Sequence, residues 1–73
     1  MFIEIRQNDA TVFVRKDDIS SVLFHEQPSQ TQLQVITNNG VTVVDVRANK
    51  NSEPERFNQL MSDFEDLRTY LSL

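Results

Sequence analysis

The feature that most constrains this chain is its one glycine, Gly40, which follows Asn39 between two apolar segments. An Asn-Gly pair flanked by alternating apolar residues is the strongest short-range indication of a β-hairpin. The favoured type I′ turn needs positive φ at both central residues, which asparagine and glycine tolerate best. The pattern therefore predicts a tight hairpin formed by strands at 33–38 and 41–47.

The register of this hairpin separates two faces. A two-residue loop places Val35 opposite Val44 and Ile36 opposite Val43. One face is apolar and predicts a core face, with Leu33, Val35, Val44 and Val46. The other face carries Ile36, Val41 and Val43 among polar residues, which makes it more apolar than a freely solvated face.

Three earlier segments alternate between apolar and polar residues, with the period of two that is typical of half-buried strands. Their ranges are 2–6, 11–15 and 19–26, separated by polar segments at 7–10, 16–18 and 27–32. Asn, Asp and Pro in the polar segments indicate turns, because they favour the backbone angles that turns require.

The end of the chain predicts one amphipathic helix at 52–71. Ser52 and Glu55 match a capping box, and Pro54 stands in the first turn, where a missing N–H costs nothing. The apolar residues form a single stripe, namely Phe57, Leu60, Met61, Phe64, Leu67 and Leu71. A stripe of two heptads suits a lid over a sheet better than a coiled coil, which needs three or four.

These elements predict an α+β fold with one domain spanning 1–73. Four or five antiparallel strands form a meander sheet at 1–47, and the C-terminal helix packs across its core face. Seventy-three residues without a cysteine give a small core and no disulfides. Self-association is one remaining route to stability, so we expect a homo-oligomer.

The residue types for catalysis, metals and cofactors are not grouped in this sequence. His25 is the only histidine and has no neighbouring sulfur or nitrogen ligand, so we interpret it as an ordinary strand residue. A chain with one glycine cannot contain a phosphate-binding loop or a dinucleotide fingerprint. The sequence therefore predicts no catalytic residues, no metal and no cofactor, and hence no enzyme.

Charge argues against nucleic acid as the main partner, since the formal net charge is −4. The alternative hypothesis is a sheet that binds nucleic acid, with Phe13 or Phe24 as a stacking platform. Its basic residues are Arg6, Arg15, Lys16, Arg47 and Lys50.

Two surfaces are candidates for binding a protein. The first is the outer face of the last hairpin, with Ile36, Val41 and Val43, where we expect Ile36 and Val43 to line the interface of a homodimer. The second is an acidic helix side with Asp63 and Asp66, which is either an ordinary solvated face or a surface for a basic partner.

The order of features from Val12 to Val46 resembles small bacterial flagellar proteins of the FlbD type. The shared features are an Ile before a strand, a Thr-rich strand, the turn at Asn39-Gly40 and a final helix. In this chain the polar segment 27–32 and the helix are longer, and the helix is more acidic. The resemblance implies an accessory protein in motility, with no catalytic residues to carry over.

The function predicted from the sequence is a small non-enzymatic interaction module that binds a larger protein stoichiometrically. Accessory proteins and phage-encoded proteins that modulate a host protein work in this way. No segment approaches the ~18 consecutive apolar residues of a membrane span, and the N-terminus is too charged for a signal peptide. We therefore expect a cytoplasmic protein.

Overall fold

The computed structural model describes residues 2–7 and 9–72. Within these ranges, five strands are followed by one α-helix, which confirms the predicted α+β class. The elements are β1 (Phe2–Gln7), β2 (Ala10–Arg15), β3 (Ile19–Glu26), β4 (Thr31–Thr37), β5 (Thr42–Ala48) and α1 (Pro54–Leu71).

The five strands divide between two antiparallel sheets instead of forming one meander sheet. β1 pairs with β2 alone, and β3, β4 and β5 form a second sheet in that order. A single 3₁₀ turn at Lys16–Asp18 joins β2 to β3. This turn redirects the chain at a corner, so β3 begins a new sheet and does not pair with β2.

The turn between β4 and β5 differs from the predicted type I′ turn. Gly40 has a φ of +79°, whereas Asn38 and Asn39 have negative φ. The Gly40 N–H donates to the Thr37 carbonyl at 2.9 Å, and the Thr37 N–H donates to the Val41 carbonyl at 2.9 Å. These bonds define a three-residue loop, in which a type I turn is followed by a left-handed glycine. The prediction of a type I′ turn is therefore wrong.

Two irregularities in this hairpin compensate for each other. The extra loop residue places Ile36 opposite Thr42, one position away from the predicted partner. Val43 has no partner and forms a β-bulge, after which Val35 lies opposite Val44 as predicted. The core face of the hairpin is therefore preserved, although the predicted pairing of Ile36 with Val43 is wrong.

A second bulge, at Ser20, sets the orientation of the start of β3. Ile19 lies opposite Thr37, and the next pair skips Ser20. The Ser20 hydroxyl donates to the carbonyls of Ile36 at 3.2 Å and Thr37 at 3.0 Å. Because of the bulge, Ile19 packs against the core and does not share the outer face of Leu23 as simple alternation predicts.

One apolar core joins both sheets and the helix. α1 contacts β1, β4 and β5. The buried apolar residues are Ile3, Ile5, Val14, Leu33, Val35, Val44, Val46, Ala48, Leu60 and Leu67. The predicted core faces of the strands and the predicted helix stripe therefore meet.

Helix α1 begins at Pro54, and its N-cap Glu53 forms no side-chain cap hydrogen bond. The predicted capping box at Ser52 is therefore wrong. Asn49 organises the approach to the helix instead, since its Oδ1 accepts from the N–H groups of Asn51 at 2.8 Å and Ser52 at 3.0 Å. With this Asx turn, the N-cap is Glu53, one residue later than the Ser52 that the capping box predicts.

Candidate functional site

The apolar patch predicted on the outer face of the last hairpin is only partly exposed. Val41 is 54% exposed beside the turn. Ile36 is half-buried, and Val43 is half-buried and packs against the core. The bulge at Val43 explains this packing, because it removes the residue from the regular alternation of β5.

Asp63 does not lie on an exposed acidic face, so that part of the interpretation is wrong. The side chain is 4% exposed and points from α1 toward β1. Its carboxylate accepts from the Arg6 backbone N–H at 3.2 Å and from Gln59 Nε2 at 3.0 Å. Asp66, by contrast, is exposed. The predicted pair of Asp63 and Asp66 is therefore divided between the interior and the surface.

Burial raises the pKa of Asp63 above its ordinary value of 3.8. The hydrogen bonds from Gln59 and from the Arg6 backbone oppose this rise, and the nearby charge of Asp66 adds to it. A buried carboxylate is costly unless its oxygens are hydrogen-bonded. Both oxygens have a donor here, so Asp63 connects α1 to the edge of β1.

Part of the predicted basic set lies on one face. Arg6, Phe13 and Arg15 have exposed side chains on the outer face of the β1–β2 hairpin. Lys16 follows directly in the 3₁₀ turn. This face therefore brings three of the five predicted basic residues close to one candidate stacking ring.

The rest of the predicted basic set lies elsewhere. Arg47 forms an ion pair with Asp45 at 3.7 Å on the second sheet. Lys50 Nζ lies 5.9 Å from the centroid of a phenylalanine ring of α1. Phe24 stacks on Phe64, with 4.0 Å between the ring centroids, so it is already occupied as a platform.

The largest exposed apolar side chains of the described residues are aromatic, and they were not predicted as one group. Phe2 is 59% exposed and Phe13 is 62% exposed. Phe2 lies opposite Arg15 and Phe13 lies opposite Glu4, so the two rings are diagonal neighbours on one face. The signal was present, because both residues occupy the polar positions of strands whose other positions are Ile or Val.

A groove of 380 Å³ lies between β1 and α1, next to this face. Tyr70 of α1 is 38% exposed and lies across the groove from Phe2. Charged residues of both signs also line the groove, namely Glu4, Arg6, Asp63 and Asp66. We refer to Phe2, Phe13 and Tyr70 as the aromatic surface.

His25 is exposed on β3, opposite Gln32. Among residues 2–7 and 9–72, no group of three His, Cys, Asp or Glu side chains is arranged to hold a metal ion. Within the same ranges, α1 is too polar to cross a membrane, and no other α-helix is present.

Comparison of the chain with protein-family models, with characterised proteins and with solved structures finds no match. The resemblance to FlbD-type proteins therefore stays a prediction. The choice of a candidate site therefore rests on the geometry of this chain alone.

Proposed function

We propose that this protein is a non-catalytic interaction module of the cytoplasm, which acts by stoichiometric binding to a larger protein. The observation that carries the proposal is the aromatic surface. Phe2 and Phe13 each expose more than half of their surface on one face of a two-stranded sheet. Aromatic residues are enriched in the centres of protein interfaces, where they provide much of the binding energy.

The surroundings of the aromatic surface indicate the kind of partner. Glu4, Arg6, Arg15 and Asp66 place both signs of charge around the rings. A mixed polar rim around an apolar centre favours a folded protein with an apolar pocket and complementary charges. It suits a purely anionic partner less well, because the formal net charge of the chain is −4. This mode of action is that of accessory proteins, including phage-encoded proteins that modulate a host protein.

The test compares a variant of the aromatic surface with a variant of an exposed apolar residue that lies away from it. Phe2→Ser with Phe13→Ser removes the centre of the aromatic surface, and Val41→Ser removes a side chain that is 54% exposed at the far turn. The tagged wild type is used to capture a partner from its host, and the affinity of each variant for that purified partner is then measured by calorimetry. We expect a one-to-one complex that Val41→Ser retains and that the double variant weakens by about a hundredfold, or about 3 kcal/mol.

Circular dichroism of each variant provides the folding control, since all three side chains are exposed and their removal leaves the core intact. Equal affinity of the double variant and the wild type would overturn the proposal, as would capture without any stoichiometric protein.

A second experiment distinguishes a protein partner from nucleic acid. A short single-stranded oligonucleotide is titrated with the wild type at low salt and again at high salt. Salt-sensitive binding that Phe13→Ser and Arg15→Gln both abolish would reassign the surface to nucleic acid and overturn the protein-binding proposal. We expect no such binding, because only Arg6, Arg15 and Lys16 are near the platform and acidic side chains line the adjoining groove.

A further inference from the structure

The outer edges of two strands are occupied by side chains of the same chain. On β1 the outward Arg6 N–H donates to the carboxylate of Asp63 at 3.2 Å. On β5 the outward Asp45 N–H donates to Gln7 Oε1 at 2.6 Å. Strand edges that are occupied in this way cannot pair with another strand at these positions.

The outer edge of β3 is open in the described structure. The Gln27 N–H donates to the Gln30 carbonyl at 2.9 Å across the turn to β4. Because backbone groups alternate along a strand, the N–H and C=O groups of Val22 and Phe24 point away from β4. β3 pairs with β4 alone, so these groups face no other strand.

Beyond the bulge at Ser20, β3 lacks the features that usually protect an edge. Its eight residues, Ile19–Glu26, include no Lys, Arg, Pro or Gly, and the only formal charge is that of Glu26 at the end. The outer edge of β2 is shorter, at six residues, and it ends at Arg15 followed by Lys16. A long, nearly uncharged edge is a template for pairing with another strand.

Apolar side chains beside this edge are incompletely covered. Leu23, at the middle of β3, is 44% exposed on the outer face. On the inner face, Val22 and Phe24 are half-buried, and Phe24 stacks on the half-buried Phe64 of α1. The core therefore has an open rim along β3, next to the open backbone edge.

We infer that two copies of this chain associate by antiparallel pairing of β3 with β3, about a two-fold axis at Leu23. The two three-stranded sheets then form one continuous sheet of six strands. In this register the outward groups of Val22 meet those of Phe24 in the second copy, which gives roughly four backbone hydrogen bonds. Such a contact is self-complementary, as a two-fold dimer requires.

The side chains of β3 favour a second copy and this register. Leu23 meets its own equivalent on the outer face, and Val22 packs beside Phe24 of the other copy at the rim of the core. Glu26 meets Ser20 and does not meet another acid, so no like charges are directly opposed. The helices lie on the same side of the joined sheet, because antiparallel neighbours keep their faces, and each helix helps to cover the open rim.

The first test is the oligomeric state, measured by sedimentation over a range of protein concentrations. The wild type is expected to sediment as a dimer at high concentration and to dissociate on dilution. Leu23→Lys places two like charges at the axis and is expected to raise the dissociation constant by about tenfold or more. Val41→Lys, which changes an exposed residue away from β3, is expected to leave the dimer unchanged. A monomeric wild type at all concentrations, or equal dimerisation of both variants, would contradict the inference.

The second test fixes the register, and it uses the absence of cysteine from the chain. Cβ atoms directly opposite each other in antiparallel strands are about 4.5–5.5 Å apart, close enough for a disulfide after small adjustments. Oxidised Leu23→Cys is therefore expected to cross-link to itself. Ser21→Cys is expected to cross-link poorly alone and readily when mixed with His25→Cys. Self-linkage of Ser21→Cys that exceeds that of Leu23→Cys would overturn the proposed axis.

This dimer is independent of the proposed binding to a larger protein, because Phe2 and Phe13 lie in a different sheet from β3. Leu23→Lys is expected to retain the affinity for the captured partner, whereas Phe2→Ser with Phe13→Ser is expected to retain the dimer. Failure of either proposal can therefore be recognised while the other stands.

Discussion

Asp63 is the residue whose environment differs most from what its chemistry suggests. A carboxylate on a mainly acidic helix is ordinarily solvated, but Asp63 stands three residues after Leu60 and four before Leu67, on the face that the helix buries. Its position is set by the two donors that reach it, the Arg6 backbone N–H and Gln59. The donor from β1 depends on tertiary structure, and for this reason the sequence could not reveal it.

The raised pKa of Asp63 gives a prediction for stability against pH. Burial favours the protonated carboxyl in the folded state, so the folded protein binds a proton more tightly there than the unfolded chain does. The contribution of this group to the free energy of unfolding therefore falls as pH rises from about 3.8 through the raised pKa. Asp63→Asn removes this cost, since Asn accepts from Arg6 and, after reorientation of the Gln59 amide, donates to Gln59. Urea unfolding should show the variant gaining stability over the wild type as pH rises through this window.

Asp63→Ala provides the control for this prediction. It leaves the Arg6 N–H without its acceptor, so it is expected to be less stable than Asp63→Asn by about 1–2 kcal/mol at every pH, since neither variant titrates at this position. A stability difference between Asp63→Asn and the wild type that does not change with pH would contradict the role assigned to burial.

The approach to α1 shows how a motif can match a sequence without forming. Ser52 and Glu55 have the spacing of a capping box, and Pro54 supports a helix start, yet Glu53 is the N-cap. Asn49 takes over because it forms several bonds at once: its side-chain amide also donates to the Ser29 carbonyl at 2.6 Å. This last bond ties the start of the helix to the turn between β3 and β4, a contact that spacing along the chain does not indicate.

Substitution of Asn49 and of Ser52 can distinguish which side chain stabilises the start of α1. Asn49→Ala removes the acceptor for two backbone N–H groups and is expected to lower the free energy of unfolding by about 1–2 kcal/mol. Ser52→Ala is expected to change it by less than about 0.5 kcal/mol, because the Ser52 side chain caps nothing. Urea unfolding of both variants is the measurement. A larger loss for Ser52→Ala than for Asn49→Ala would restore the capping box.

The last hairpin explains why its core residues were predicted correctly although its turn type and one residue pair were not. The Asn-Gly signal identified the turn, but the chain uses a three-residue loop, which by itself would move every β5 residue to the opposite face. The bulge at Val43 moves the register back by one residue, so Val44 and Val46 face the core as predicted. Alternation of apolar residues was therefore more informative about the strands than the turn type was.

The same bulges explain why the predicted surface was less well determined than the core. Ile36 has an irregularity on each side, at Ser20 of β3 and at Val43 of β5. Side chains beside a bulge leave the alternating order, so the set of Ile36, Val41 and Val43 does not form a uniformly exposed patch. The exposed rings of Phe2 and Phe13 follow regular alternation, so their exposure was predictable from the sequence. Their availability for binding depends on whether another element covers them, which alternation does not reveal.

At the level of the complete domain, α1 packs against two sheets that share no strand pairing, although β1 and β5 also contact each other directly. Leu60 and Leu67 are buried from α1 in a core shared with both sheets. The sequence predicted a helix that covers one sheet, because alternation does not reveal where a sheet ends. The division at the 3₁₀ turn therefore gives the helix a larger structural role than a lid has.

This role predicts that loss of one helix contact unfolds both sheets together. Leu67→Ala removes a fully buried side chain and is expected to cost about 2–5 kcal/mol, in a domain whose total stability is roughly 3–5 kcal/mol. Leu23→Ala, at a side chain that is 44% exposed, is the matched control and is expected to cost less than about 1 kcal/mol at a concentration that keeps the chain monomeric. Amide hydrogen exchange of Leu67→Ala should show β1–β2 and β3–β4–β5 losing protection in a single step. Persistent protection of the three-stranded sheet after loss of protection in β1–β2 would show instead that this sheet is stable without the helix.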